Sequence, residues 1–189
     1  MFNVHEEANF KHKSSRAWVG YIIVLVVLVV YVGGWVGLVY ALKTEVPVTV
    51  VEGNSMVPTL RNGDIVFLKK VSVEELINDY KNGKRDIIVF YSPGGTRIIH
   101  KIYSLVYDEE GNFVGFRTKG DNNQTPDPWI VTSEDIIGKV VWGPIPLLGT
   151  VILFTKTPLG FFLVSVIIAL LVVWIILSEL KLRLTKFFP

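Results

Sequence analysis

Three fragments of this chain carry side chains suited to acyl transfer. The first is Gly53-Asn54-Ser55-Met56-Val57-Pro58-Thr59-Leu60, followed at once by Gly63-Asp64. A serine between a glycine-containing turn and a proline can present both its hydroxyl and its own N–H, and acyl transfer needs a nucleophile and a donor for the developing oxyanion. The second is Arg97-Ile98-Ile99-His100-Lys101-Ile102, whose histidine belongs to the residue type best suited to proton transfer near neutral pH. The third, Lys119-Gly120-Asp121-Asn122-Asn123-Gln124-Thr125-Pro126-Asp127-Pro128, supplies two carboxylates, Asp121 and Asp127. Two carboxylates could also serve calcium, but their spacing is not that of an EF-hand loop and few other oxygen ligands lie nearby. Each fragment alone has an ordinary structural explanation: a turn serine, a hydrogen-bonded core histidine and a polar surface turn. Together they hold the parts of an acid–base-assisted serine nucleophile.

The elements that must position these parts read as β-rich. Segments 46–51, 64–70, 87–91, 97–107, 113–118 and 139–142 are enriched in β-branched and aromatic residues. Turn signals separate them at Asn62-Gly63-Asp64, Ser92-Pro93-Gly94-Gly95 and Glu110-Gly111-Asn112. Ser72 followed by Glu75 fits a capping box, which predicts a short helix over 73–80. In a strand over 97–107, alternation puts Ile98, His100, Ile102 and Ser104 on one face and Arg97, Lys101 and Tyr103 on the other. His100 is then the single ionisable side chain on a mainly apolar face.

Composition sets the compartment. Of 189 residues, 50% are hydrophobic and 19% charged, below the ~25% charge usual in soluble domains. A net charge of +2 argues against nucleic acid as a partner, and the absence of cysteine excludes disulfides and thiolate chemistry. Residues 17–42 and 159–177 carry no charge and are long enough to cross a ~30 Å hydrocarbon core. The first also ends in a small-residue pattern at Val39 and Ala41, but it far exceeds the 7–15 residues typical of a cleaved signal and is expected to stay attached as an anchor. Lys11, Lys13 and Arg16 before the first span and Lys181, Arg183 and Lys186 after the second place both termini in the cytoplasm by the positive-inside rule. The expected organisation is a cytoplasmic tail (1–16), a span (17–42), an extracytoplasmic β-domain (43–158), a second span (159–177) and a second cytoplasmic tail (178–189).

The three fragments resemble the nucleophile, general-base and acidic boxes of type I signal peptidases, in the same order and register across roughly residues 43–145. Bacterial members use a lysine base. Archaeal members and the catalytic subunit of the endoplasmic-reticulum complex use a histidine, and His100 stands at that place. A second aspartate six residues after the first, as Asp127 follows Asp121, marks the same subtype. The resemblance implies a mainly β, barrel-like catalytic domain with an apolar surface against the bilayer, to which Phe67, Trp129 and Trp142 would contribute; the two apolar stretches would anchor it in the cell membrane, where histidine-type archaeal members often have a single amino-terminal span. It implies a serine endopeptidase that needs no cofactor or metal and removes signal peptides from exported preproteins after small residues. Its neighbours would be the lipid bilayer and the protein-translocation channel.

In the roles so implied, Ser55 is the nucleophile and, through its backbone N–H, an oxyanion donor. His100 is the base. Asp121 is the preferred orienting carboxylate, with Asp127 in support. Some members add a hydroxyl two positions before the nucleophile; Gly53 stands there, so a second donor is not identified. Two other readings remain open: a specialised processing peptidase with few substrates, and a non-enzymatic, membrane-tethered β-domain that binds an extracytoplasmic partner.

Overall fold

The computed structural model describes residues 4–187, and side-chain surroundings for residues 22–177. It divides into two compact units, Met1–Pro47 and Val48–Pro189. The first contains one long helix, α1 (Val4–Leu42), of which Ile22–Leu42 is apolar enough to span a bilayer. Its apolar side chains are exposed through most of that stretch, as a helix made to meet lipid requires.

The second unit is built on a six-stranded antiparallel sheet of β1 (Val48–Val50), β2 (Ile65–Lys69), β3 (Ile87–Tyr91), β4 (Arg97–Tyr107), β5 (Phe113–Lys119) and β6 (Ile136–Ile145). The order is β1-β2-β6-β3-β4-β5, with β1 and β5 at its two ends. β3 and β4 form a hairpin through Ser92-Pro93-Gly94-Gly95, closed by Ser92 N–H to Thr96 O at 2.9 Å. The β4–β5 turn is set by Asp108, whose carboxylate accepts the N–H groups of Glu110 and Asn112, and Gly111 takes the positive φ of 85° that the reversal demands. Between β2 and β3 lies α2 (Val73–Lys81), with the Ser72 hydroxyl accepting from Glu75 N–H as the capping pattern predicts. Its Leu76 completes a core with Ile88, Phe90, Ile102, Phe116 and Val131. Each such side chain contributes about 1.5–3 kcal/mol by leaving water, and this packed face is what holds β4 and β5 rigidly beneath the site.

Three features depart from the sequence expectations. Strand β6 is longer than 139–142, because Gly138 and Gly143-Pro144 interrupt its apolar signal while the chain stays paired to β2 and β3. Trp129 is partly buried against the core, and its indole N–H is buried without a hydrogen-bond partner among the described residues. Trp142 does remain 60% exposed, edge-on to Phe67 at 4.8 Å. Finally, an additional helix, α3 (Leu148–Lys156), precedes α4 (Pro158–Phe187). Its apolar sequence runs on into the second span, so no change of period announced it. Thr157 adopts an extended backbone before Pro158, the conformation a residue preceding proline prefers, and so separates the two helices. Within α4, Pro158–Leu177 is long and apolar enough to span a membrane.

Candidate active site

Ser55 sits in the loop that joins β1 to β2. The mouth of the loop is pinned by Val51 N–H to Asp64 O at 2.8 Å and Gly63 N–H to Val51 O at 2.9 Å. Inside it, Asn62 accepts the Gly53 N–H at 3.0 Å and Leu60 N–H returns to Met56 O at 2.9 Å. Met56 and Leu60 are buried beneath the loop, so the same short fragment anchors itself with apolar side chains and lifts Ser55 to the partly exposed side.

His100 lies on β4 opposite Ile88 of β3, 5% exposed, and meets the Phe90 ring edge-on at 6.4 Å. Its Nε2 is 3.0 Å from Ser55 Oγ and its Nδ1 is 2.7 Å from Asp127 Oδ2. A carboxylate only accepts, so Nδ1–H donates to Asp127, and Nε2 is left to accept the Ser55 hydroxyl. Asp127 is 6% exposed and is fixed twice more: the Thr118 hydroxyl donates to its Oδ2 at 2.6 Å, and its N–H donates to Thr118 O at 2.8 Å. Ser55, His100 and Asp127 thus form one continuous chain of hydrogen bonds, an arrangement able to activate a serine for acyl transfer.

Asp121 stands elsewhere. The expectation that it orients the imidazole is not what the geometry has: its carboxylate accepts from Lys101 Nζ at 2.7 Å and from the Thr59 hydroxyl, and makes no hydrogen bond to His100 among the described residues. The reason is strand alternation, because Lys101 points away from the face of His100 and draws Asp121 with it. Burial would raise the Asp121 carboxyl, but the bonds from Lys101 and Thr59 outweigh it and hold the group below the ordinary carboxylate range. Lys101, Thr59 and Asp121 therefore clasp the Ser55 loop to β4. A second clasp runs from Asn122 N–H to Ser55 O at 2.8 Å and from Asn122 Nδ2 to Asn54 O at 3.2 Å.

Lys101, Thr59, Thr118, Gly120 and Asn122 received no role from the sequence. Thr118 had a signal, a hydroxyl two residues before the Gly120-Asp121 turn on a strand with an apolar inner face. Gly120 lies so close to the site that an added Cβ would fall 2.5 Å from Ser55 O and 2.9 Å from His100 Nε2. The Ser55 N–H has no acceptor among the described residues and is left available to a substrate oxygen.

No family model matches the chain. Curated relatives do. The chain is 31% identical over 143 residues, 70% of its own length and 75% of the relative's, to the signal peptidase complex catalytic subunit sec11 of Dictyostelium discoideum. It is 34% identical over 134 residues to the protein of that name in Sclerotinia sclerotiorum, covering 66% of this chain and 73% of the relative. To the human signal peptidase complex catalytic subunit SEC11C it is 29% identical over 125 residues, and there the match spans 61% of the relative's length. A chain that is 31% and 34% identical to two such subunits, over 75% and 73% of their lengths, belongs to the type I signal peptidase family in its Sec11 form.

Proposed function

We propose that this chain is a membrane-bound signal peptidase, a serine endopeptidase that removes signal peptides from exported preproteins. The observation that carries the reading is the Ser55–His100–Asp127 chain of hydrogen bonds in a member of a family whose relatives are named as catalytic subunits. In this reading Ser55 Oγ attacks the scissile carbonyl carbon while its proton passes to His100 Nε2. The imidazolium so formed is held by Asp127, which stays ionised. Its proton then moves to the departing nitrogen as the C–N bond breaks, releasing the mature chain and leaving the signal peptide esterified to Ser55. A water gives its proton to His100 and attacks the ester, and return of that proton to Ser55 frees the enzyme. The Ser55 N–H would stabilise the oxyanion in both halves, and one such donor is worth about 10²–10³ in rate.

The β-domain would work on the extracytoplasmic face. Two apolar helices and basic flanks at both ends support a topology with cytoplasmic termini, in the organisation 1–16, 17–42, 43–158, 159–177 and 178–189. The relatives' names make them subunits of a signal peptidase complex, and partner subunits are part of the proposal for this chain.

The test is cleavage of a preprotein by the purified full chain in neutral detergent. Wild type should release the mature protein, and Ser55→Ala, folded by its melting curve, should release none. Cleavage by that variant at near wild-type rate would sink the assignment.

A further inference from the structure

Beside the Ser55 loop lies a cavity of about 600 Å³ whose wall includes both Gly120 and Asp121. Gly120 also stands against Ser55 and His100, so the cavity adjoins the catalytic chain of hydrogen bonds. Its floor is two tyrosines, with the Tyr80 hydroxyl donating to Tyr103 O at 3.1 Å. Two cations are set on that floor: the Arg85 guanidinium 4.1 Å over the Tyr80 ring, and Lys119 Nζ 5.8 Å from the centre of the Tyr103 ring. Among the described residues neither is paired with a carboxylate, and Asp121, the single carboxylate of the lining, already holds Lys101.

We infer that this cavity receives the first residues of the mature chain, beyond the cleaved bond, and favours acidic side chains there. The inference rests on the proteolytic reading of the site and adds a specificity to it. Direction along β4 supports it. Before His100 the strand runs Arg97-Ile98-Ile99; after it come Lys101, Ile102, Tyr103 and Ser104, all in the cavity wall. A signal peptide is apolar up to its cleavage region and the mature chain polar beyond it, so the cavity, lined by Lys101, Tyr103, Ser104, Lys119 and Asp121, suits the departing chain. β4 is paired to β3 and β5 at Lys101, so the departing chain would cross the cavity without adding a strand, and at a rise of about 3.4 Å per residue the stretch 101–103 matches about three mature residues in length. A carboxylate there meets two unpaired cations, and a lysine meets them as a like charge.

The experiment uses the full chain in neutral detergent with preproteins that differ at the second and third mature positions, carrying Glu, Gln or Lys. At about 50 mM salt, kcat/KM for the Glu substrate should exceed that for Lys by about tenfold, and 0.5 M salt should shrink the ratio to within about twofold. The Arg85→Gln/Lys119→Gln double variant should also bring it within twofold. A wild-type ratio near one, or a ratio unchanged in the double variant, overturns the inference while Gln-substrate cleavage by wild type leaves the proteolytic reading standing. Binding of anionic vesicles that the double variant loses while keeping its substrate ratio would give the cavity to lipid headgroups and overturn the inference equally. Should wild type cleave none of the substrates, the proteolytic reading falls. The cavity is still decided by fluorescence anisotropy of labelled peptides on Ser55→Ala protein, where equal affinity for Glu and Lys peptides refutes it and about tenfold tighter Glu binding upholds it.

Discussion

The carboxylate of Asp127 meets the buried imidazole of His100 at 2.7 Å, and Thr118 shares the same carboxylate oxygen. This bond fixes which ring nitrogen is free to face Ser55, so its loss should act on the chemical step. Asp127→Asn is expected to lower kcat by about 10³-fold or more, because an amide can turn its NH₂ toward Nδ1 and favour the wrong tautomer. Asp121→Asn, which only loosens the Lys101 and Thr59 clasp, should cost about tenfold. Single-turnover cleavage by both variants separates them, and equal losses would mean that the two carboxylates share one role.

Replacing His100 and Lys101 in turn discriminates between neighbours on one strand. His100→Ala should eliminate cleavage, and His100→Lys should not restore it, since a flexible amine would not keep the position that Asp127 gives an imidazole. Lys101→Ala should retain activity but lose about tenfold, the same as Asp121→Asn, because each removes the same ion pair. The double variant Lys101→Ala/Asp121→Asn should then be no worse than either single one. Full inactivation by Lys101→Ala with survival of His100→Ala would reverse the assignment of the base.

Gly120 tests how closely the site is built. Alanine there would bring a methyl group to 2.5 Å from Ser55 O and 2.9 Å from His100 Nε2, closer than such contacts are tolerated. The backbone on both sides must move, and displacement of catalytic groups by about 1 Å can cost 10²-fold. We expect Gly120→Ala to lose about 10² in kcat with a near wild-type melting temperature, read by cleavage assay and circular dichroism. Unimpaired cleavage would show that the loop opens in solution.

Much of this was legible in the sequence, for physical reasons that differ by element. The strand 97–107 and the Ser72-capped helix were readable because their periodicity and capping chemistry are local. Ser55 and His100 stood out because their residue types are scarce in such surroundings. The choice between Asp121 and Asp127 was not readable, since it turns on which carboxylate the sheet brings to Nδ1, and 27 positions separate Asp127 from His100. The same holds for Lys101: its alternation was plain, but its partners Thr59 and Asp121 come from two other loops. Helix α3 was hidden because an apolar helix that leads into an apolar span has no contrast in sequence.

Away from the site, Lys139 Nζ gathers Asp79 at 2.7 Å, Glu75 at 3.2 Å and Asp86 at 3.4 Å, and Lys84 adds a second bond to Asp79. Hydrogen bonds from Lys139 and Lys84 hold the Asp79 carboxyl well below the ordinary range, so Asp79 stabilises the fold above an ordinary carboxylate pKa of ~3.9 and that contribution is lost as pH falls toward its folded value. Burial raises Asp86, which therefore subtracts stability as pH rises through its folded value. Although burial opposes it, bonding to Asp79 and Glu75 raises Lys139, whose contribution persists until pH climbs above the usual lysine range. Wild type should accordingly melt at its highest temperature in a plateau around neutral pH and lose stability below about pH 4. Lys139→Met leaves Asp79 to Lys84 alone and removes the attraction that offsets the burial of Asp86, which raises Asp86 further and makes its ionised form a cost. The variant should melt several degrees lower at pH 7 and recover part of that loss as pH falls from 7 to 5, where wild type stays flat. Melting curves of the full chain in detergent across pH 3–9 measure both slopes, and a Lys139→Met curve parallel to wild type between pH 5 and 7 would show that this cluster does not couple protonation to folding.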